Sequence, residues 1–363
     1  MNKYERIHDD LKDSIYNLSL RVGEALPTEV ELMKQYSVSR PTVAKALKML
    51  ESQGLVVRRP GLGTFVREVV REPRQLLFGL AFPETVHGEI FDPIMTRIAS
   101  FRTTHNFSLL WGSPNNPSKE FSVKDLYHLF DDFIERGVNG VFFAPLEGGP
   151  GASEANRTVI ERLTRTGSRI VLVDRDMVLF PSRSEHPLVM LDNVRASYIL
   201  TCHYLEQGVD RVDYVGLPYD SYAGDLRIRG YRLALFDYGI TPQSEWIHFG
   251  DPDRSDFVQD VIGGGSKNVI CLNDETAALF LNTLRELSVA VPQDVRVSGF
   301  DDVKYSRLIS VPLTTVQQPV AAIAEKAIEV MMESVSHTHD APSEAVVLSG
   351  ELVVRESSMV QRR

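Results

Sequence analysis

The chain predicts an α/β protein in two parts, an N-terminal winged helix-turn-helix followed by a larger two-lobed body built on parallel sheets. Three features lead there: a basic segment ahead of an acidic remainder, capped amphipathic helices with a glycine-tipped hairpin near the N-terminus, and short apolar runs alternating with helical stretches thereafter. At 363 residues and 43% apolar content, the chain can fill more than one core.

The formal charge of −10, taken as a total, argues against a polyanionic partner, which is bound mainly through Lys and Arg. Its distribution argues the opposite. Residues 1–75 carry 13 Lys and Arg against 10 Asp and Glu, whereas residues 76–363 carry 26 against 39. The excess concentrates in Arg40, Lys45, Lys48, Arg58, Arg59, Arg67, Arg71 and Arg74, a basic head on an acidic body. The chain does not open on a charged-then-apolar leader, and no apolar run approaches the ~20 residues of a membrane span, so a cytoplasmic protein with no membrane partner is expected. Cys202 and Cys271 sit singly in apolar stretches, which suits inert core thiols and offers neither a disulfide framework nor a zinc spacing.

Ile7, Leu11, Ile15 and Leu18 recur at helical spacing and predict a first amphipathic helix over Tyr4–Leu18. Pro27 precedes Thr28, which can cap a second helix, and Glu31 can reach back to it in a reciprocal capping box. That helix is short and stops near Tyr36. Ser39 is the N-cap candidate of a third helix, and Pro41 falls in its first turn, where a missing N–H costs nothing. At about 100° per residue, Val43, Ala46, Leu47 and Leu50 share one face while Pro41, Lys45, Lys48 and Ser52 point the other way. Leu55–Arg59 and Thr64–Val70 then read as two strands around Pro60-Gly61-Leu62-Gly63, whose glycines permit a tight tip. Three helices and a basic hairpin make a winged helix-turn-helix.

The stretch ALPTEVELMKQYSVSRPTVAKALKMLESQGLVVRRPGLGTFV, Ala25–Val66, resembles the GntR-family DNA-binding domain, and the likeness covers nearly all of residues 3–67. It implies a partner in double-stranded operator DNA. Arg40, at the start of the recognition helix, is then expected at a base edge in the major groove. Thr42, Lys45, Arg58 and Arg59 are expected on phosphates, and Gly61 and Gly63 let the wing backbone approach the minor groove. Thr28, Glu29, Ser39, Pro41, Lys48 and Thr64 complete the expected surface. Val30 and Ala44 stand where the family often has Arg, so the operator sequence is not legible; Lys45 and Lys48 restore charge but lack the guanidinium fork that reads guanine.

Val66–Gln75 mixes charges with a proline, which sets the expected boundaries at 1–69 for the head, 70–75 for a linker and 76–363 for the body. In the body, Leu76–Phe82, Phe107–Trp111, Gly140–Ala144, Ile170–Val173, Leu188–Leu191, Val212–Val215, Val269–Leu272 and Val295–Ser298 read as strands of βαβ units. The length suits two similar lobes with a cleft between strand ends.

GVNGVFFAPLE, IVLVDRDM, YAGDLRIRGYRLAL, VICLNDETA, VRVSGFDDVKYSRLISVPLTTVQQP and VLSGELVVRESS resemble the effector-binding domain of the LacI/GalR family, a two-lobed periplasmic-binding-protein-like fold of type I, over most of residues 76–358. A GntR-type head on a LacI-type body is the arrangement of arabinose-repressor-type transcription regulators. The resemblance implies a homodimer joined through the body, with half-sites one helical turn, about 34 Å, apart. It also implies a sugar or related small polar effector, arabinose being the first guess. Arg227 matches an arginine that grips hydroxyls or a carboxylate, its fork suiting paired acceptors. Asn273 and Asp301 match positions that read sugar hydroxyls. Asp174, Arg175 and Gln318 fall at interlobe strand ends, and Phe91 falls on a loop where an aromatic covers the ligand. Such a mixture meets the need of each buried hydroxyl for a partner. Trp111 is expected to pack in the core at a strand end, with stacking on a sugar the alternative, and Asp192 and Asp302 are expected as hinge and turn carboxylates.

Other function classes find little support. The chain has no G-x-S-x-G elbow and no G-x-x-x-x-G-K-[ST] phosphate loop, and Gly263-Gly264-Gly265 lies between a helix and a strand in the wrong order for a dinucleotide fingerprint. His337 and His339 lie in a polar loop. No catalytic residue, metal or cofactor is expected. A transport binding protein would fit the body alone and conflicts with the head.

Overall fold

The computed structural model describes residues 3–16, 20, 22–67, 75–82, 89–112, 121–218, 221–336 and 344–359. The chain divides into two compact units, Met1–Arg74 and Gln75–Arg363. The expected linker apart from Gln75, the end of the first helix at Leu18, and the His337/His339 loop lie outside the described residues.

The head contains α1 (Lys3–Tyr16), α2 (Glu29–Tyr36), α3 (Arg40–Ser52), β1 (Val56–Arg59) and β2 (Gly63–Val66). The capping box forms as its spacing predicts: the Thr28 hydroxyl accepts from the Glu31 amide, and the Glu31 carboxylate accepts from the Thr28 amide at 2.7 Å. Those hydrogen bonds from Thr28 hold the Glu31 carboxyl below its ordinary range. Eight residues make a marginal helix alone, so packing has to sustain α2. Leu32 meets Ile7, Leu11 and Ile15 of α1 and the buried stripe Val43, Ala46, Leu47 and Leu50 of α3. Each fully buried side chain of this size is worth about 1.5–3 kcal/mol. The wing is antiparallel from Val56↔Val66 to Arg59↔Gly63, turning through Gly61 at φ 76° and Gly63 at φ 121°, a region that side chains with a Cβ rarely enter.

The body runs β3 (Leu76–Ala81), α4 (Phe91–Ser100), α5 (Arg102–His105), β4 (Phe107–Trp111), α6 (Val123–Glu135), β5 (Gly140–Phe143), α7 (Ala152–Thr164), β6 (Arg169–Val173), β7 (Leu188–Leu191), α8 (Asn193–Leu205), β8 (Asp213–Gly216), α9 (Tyr222–Asp237), β9 (Ile247–Phe249), α10 (Ser255–Gly263), β10 (Asn268–Cys271), α11 (Asp274–Glu286), β11 (Arg296–Asp301), β12 (Thr314–Gln317), α12 (Val320–Ser336), β13 (Ala345–Leu348) and β14 (Glu351–Val353). One sheet has the order β13-β7-β6-β5-β3-β4 and is parallel throughout. The other, β14-β12-β11-β10-β8-β9, is parallel except for β14. Buried on both faces, the central strands carry continuous apolar runs rather than alternation.

Helices cover both faces of each sheet. In the first lobe, Phe130, Phe133 and Leu163 pack one face; Ile94, Ile98, Ile323 and Met331 pack the other. In the second, Leu200, Tyr204 and Tyr231 face Phe280 and Leu284 across the sheet. α8 and α9 approach so closely that a Cβ on Gly230 would lie 2.0 Å from the Val194 carbonyl oxygen. The chain passes between lobes three times, at β7–α8, β12–α12 and β13–β14. Three crossings are why β13, β14 and α12 return to lobes already begun, and none of β9, β12, β13 or β14 stands among the strands read from apolar runs.

Candidate functional site

In the head, the predicted surface gathers around one carboxylate. Glu29, in the first turn of α2, accepts from Arg40 Nε at 2.9 Å and is paired with Arg58 of the wing. Arg40 is nevertheless 77% exposed at the start of α3. Ser39 occupies the N-cap without bonding the helix backbone; its hydroxyl lies 3.0 Å from that of Thr42. Pro41, Lys45 and Lys48 point outward as the helical wheel requires. Lys45 Nζ stands 3.6 Å above the ring of Tyr4, and Arg59 lies 5.0 Å from the ring of Phe65. Thr64 is half-buried, its carbonyl accepting from the Leu26 amide at 2.8 Å, so the backbone of this residue fastens the wing to the segment before α2. Thr28 is occupied in its capping box. Sequence reasoning passed over Lys3 and Lys34, which line a depression of about 530 Å³ together with Val30, Met33, Ser39 and Thr42. Neither lysine belongs to a motif; only the fold sets them beside the start of α3.

In the body, four of the predicted residues meet at the ends of the parallel strands. Arg227, 3% exposed on α9, donates to Asn193 Oδ1 at 2.8 Å, to the Leu272 carbonyl, and to Asp301 Oδ1 at 3.3 Å, with its guanidinium 4.4 Å from the ring of Phe300. Gln318 donates to the same Asp301 oxygen at 2.8 Å. Asn273 lies alongside as the N-cap of α11, where its carbonyl oxygen accepts from the amide and hydroxyl of Thr276 at 2.8 and 2.7 Å, leaving Nδ2 outside the cap. Asp274, next in sequence and fully buried, accepts from Ser306, Thr315 and the Val303 amide. Burial first, then Asp301, pushes its carboxyl up to about 8 despite those donors.

Asp174 and Arg175 follow β6, with Arg175 Nε 3.1 Å from Asp174 Oδ2. Arg175 is also bound by Glu147, whose other oxygen accepts from the Tyr222 amide at the start of α9. Glu147 therefore ties the first lobe to a helix of the second. It was not singled out in the sequence, although it closes the fragment that follows β5. Asp174, Asp301 and Asp302 have positive φ of 75°, 110° and 53°, a strained backbone for residues with a Cβ, at strand ends of both lobes.

Three expectations change. Phe91 is not on a loop over the cleft: it opens α4, is 0% exposed and stacks on Phe82 at 5.0 Å, because its ring completes the first-lobe core. Arg175 lies 5.6 Å from that ring. Trp111 is 56% exposed rather than core-packed, since β4 is the sheet edge. Asp192 caps α8, the local role expected of it, whereas Asp302 accepts from Arg355, 53 positions away, and from Gln317 rather than serving its own turn. Gly263-Gly264-Gly265 closes α10 and turns toward β10. Cys271 is buried but Cys202 only partly so, and burial raises both thiols above their ordinary range. Among the described residues no cluster of His, Cys, Asp and Glu could hold a metal ion, and no helix is long and apolar enough to cross a membrane.

Residues 3–66 match the gntR family of bacterial regulatory proteins, and residues 201–358 match the periplasmic binding protein-like domain. The chain is a transcription regulator joining these two domains. Over 366 residues it is 23% identical to an arabinose metabolism transcriptional repressor of Geobacillus stearothermophilus, covering 98% of this chain and 97% of that one. It is 33% identical over 178 residues to the HTH-type transcriptional regulator GalR of Salmonella typhimurium, covering 48% and 52% of the two chains. Among solved structures, the complex of the transcriptional regulator CelR with cellobiose has the same fold, with a TM-score of 0.66 at 20% identity over 88% of this chain and 92% of that one. The regulator is a ligand-responsive DNA-binding protein, not an enzyme.

Proposed function

We propose that the regulator represses transcription in the cytoplasm by binding double-stranded operator DNA as a homodimer, and that a small polyhydroxylated molecule, a sugar or a close relative, enters the interlobe cleft and weakens that binding. The observation that carries this reading is the cleft itself: Arg227, Asp301, Gln318 and Asn273 from one lobe and Arg175 from the other are gathered at the ends of parallel strands, where such folds bind ligands. Arabinose-repressor relatives of nearly full length support a sugar effector.

On DNA, Arg40 and the wing Arg58 exchange Glu29 for the duplex, Arg40 reading a base edge and Arg58 a phosphate. Thr42, Lys45, Lys48 and Arg59 add phosphate contacts, with Lys3 and Lys34 beside them, and the wing tip at Gly61 and Gly63 approaches the minor groove. Before DNA binds, Glu29 holds the two guanidiniums side by side, and it does not itself touch the phosphates. In the cleft, Arg227 and Asp301 hold the ligand-facing array, and Glu147 links the lobes. A coupling of about 1–3 kcal/mol between the sites changes operator affinity roughly 5–150-fold.

The test is fluorescence anisotropy on operator DNA selected from genomic fragments, with a sugar panel added. Ligand-dependent release should vanish in Arg227→Ala and weaken in Asn273→Ala. Release unchanged in both would move the site elsewhere, and a monomer at working concentration would rule out paired half-sites.

A further inference from the structure

One face of the body carries a row of apolar side chains that the fold does not bury. Leu179 and Phe180, in the segment after β6, and Leu233 and Phe236, on α9, are exposed, Phe236 at 72%, and none of them joins a hydrophobic core. Arg229 connects the two pairs: its guanidinium lies 4.9 Å from the ring of Phe180, and on α9 it comes one turn before Leu233. Exposed apolar side chains scattered singly are ordinary, whereas a contiguous group marks a surface that something covers.

The charges along α9 select the occupant. Asp225, Arg229, Arg232 and Asp237 are exposed on this helix, two of each sign. At about 100° per residue, Asp225, Arg229, Arg232, Leu233 and Phe236 share roughly a third of its circumference, with Asp237 on the flank toward α8, where one of its oxygens accepts from the Tyr198 hydroxyl at 3.1 Å. Among the described residues, Asp225, Arg229 and Arg232 have no ion-pair partner. A wholly acidic or wholly basic segment would match only half of these charges, whereas a copy of the same face matches all of them when opposite signs align. Arg229 and Asp237 lie four positions either side of Leu233. Antiparallel pairing about a two-fold axis at Leu233 therefore sets each Arg229 beside the other copy's Asp237 and Phe236, an ion pair and a cation–π contact, with Leu233 on Leu233. Parallel pairing would set like charge on like.

We propose that a second copy of the chain docks on this face, α9 antiparallel to α9, and that the contact joins homodimers into tetramers. The homodimer rests on the reading given above and has other exposed apolar surface to use, at Trp111 and Phe249 on the edge strands β4 and β9. So few apolar side chains make a small, weak interface, strengthened when two homodimers share one DNA molecule, because tethering raises their effective concentration.

The experiment is sedimentation velocity on the full chain without DNA, over a range of micromolar concentrations. The parent should show a reversible homodimer–tetramer equilibrium. Phe236→Glu and Leu233→Glu should each weaken it about tenfold or more, and Arg229→Asp several-fold, with most of that loss regained when Asp237→Arg is added in the same chain. Melting temperatures should barely move, since these side chains are exposed. Leu233→Cys should crosslink to its copy under mild oxidation, against a parent carrying only Cys202 and Cys271. The proposal is overturned if the parent remains a homodimer at every concentration, whether a different protein or nothing covers the face, if the tetramer survives both glutamate variants, or if Asp237→Arg rescues nothing. Dissociation of the homodimer itself by Phe236→Glu also overturns it, by making this face the homodimer contact, and leaves the homodimer reading standing. A parent that is monomeric throughout overturns both.

Discussion

Arg227→Ala is the most informative single change in the body. The side chain is 4% exposed and its ion-pair partner Asp301 12%, so the pair lies in low dielectric where a lone carboxylate is poorly solvated. Truncation removes three hydrogen bonds at once, from the Leu272 carbonyl, Asn193 Oδ1 and Asp301, and leaves Asp301 without its counter-ion and with only the bond from Gln318 on that oxygen. Breaking a buried pair by removing one partner costs about 3–5 kcal/mol. At roughly 2–4 °C per kcal/mol for domains of 150–250 residues, the melting temperature should fall by about 10 °C. Part of that loss comes from the stranded charge rather than from contacts made by Arg227. Asp301→Asn in the same chain should therefore restore about 1–3 kcal/mol, measured as a double-mutant cycle by urea denaturation. A single mutant losing under about 1 kcal/mol, or strictly additive effects, would refute the reasoning.

Three further outcomes are expected. Arg40→Ala should weaken specific operator binding in anisotropy titrations while leaving the melting temperature within about 1 °C, because an ion pair this exposed is worth little to the fold. Gly230→Ala should destabilise the second lobe by about 3 kcal/mol or more, since the new Cβ meets backbone of α8 rather than a movable side chain; equal stability by denaturation would contradict the α8–α9 packing. Burial would raise Asp213, but hydrogen bonds from His248, Arg211 and Ser266 outweigh it and hold the carboxyl below 3.8. Its stabilising contribution is therefore complete above the unfolded value and lost as pH falls through the lower folded one. Thermal scans of Asp213→Asn against the parent should show a deficit at neutral pH that narrows below about pH 4, and a deficit independent of pH would contradict the assignment.

Much of the head was legible because its determinants are local. The Thr28–Glu31 box, Pro41 in the first turn of α3, the Val43-Ala46-Leu47-Leu50 stripe and the glycine tip each lie within a few residues of what they control. In the body, βαβ alternation and apolar runs placed most strands, and the family fragments pointed to Arg227, Asp301 and Gln318, which the fold brings within hydrogen-bond distance of one another. The short strands β9, β12, β13 and β14 lacked that signal: each is brief or carries polar residues, and pairing is what makes it a strand.

By itself the sequence determined the two-part architecture, the basic face of the recognition helix and the residue types that could bind a polar ligand, since periodicity, capping and motif spacing act over short separations. Tertiary structure alone decided which of those side chains still have a valence to offer. Glu29 meets Arg58 across 29 positions, Arg227 meets Asp301 across 74, and Glu147 meets the Tyr222 amide across 75. It is also what buries Phe91, exposes Trp111 and leaves Gln318 Oε1 without a partner. Charge and hydrogen-bond balance depend on distances between chain segments that no local pattern encodes, so the sequence indicated a ligand site and the fold set its polarity.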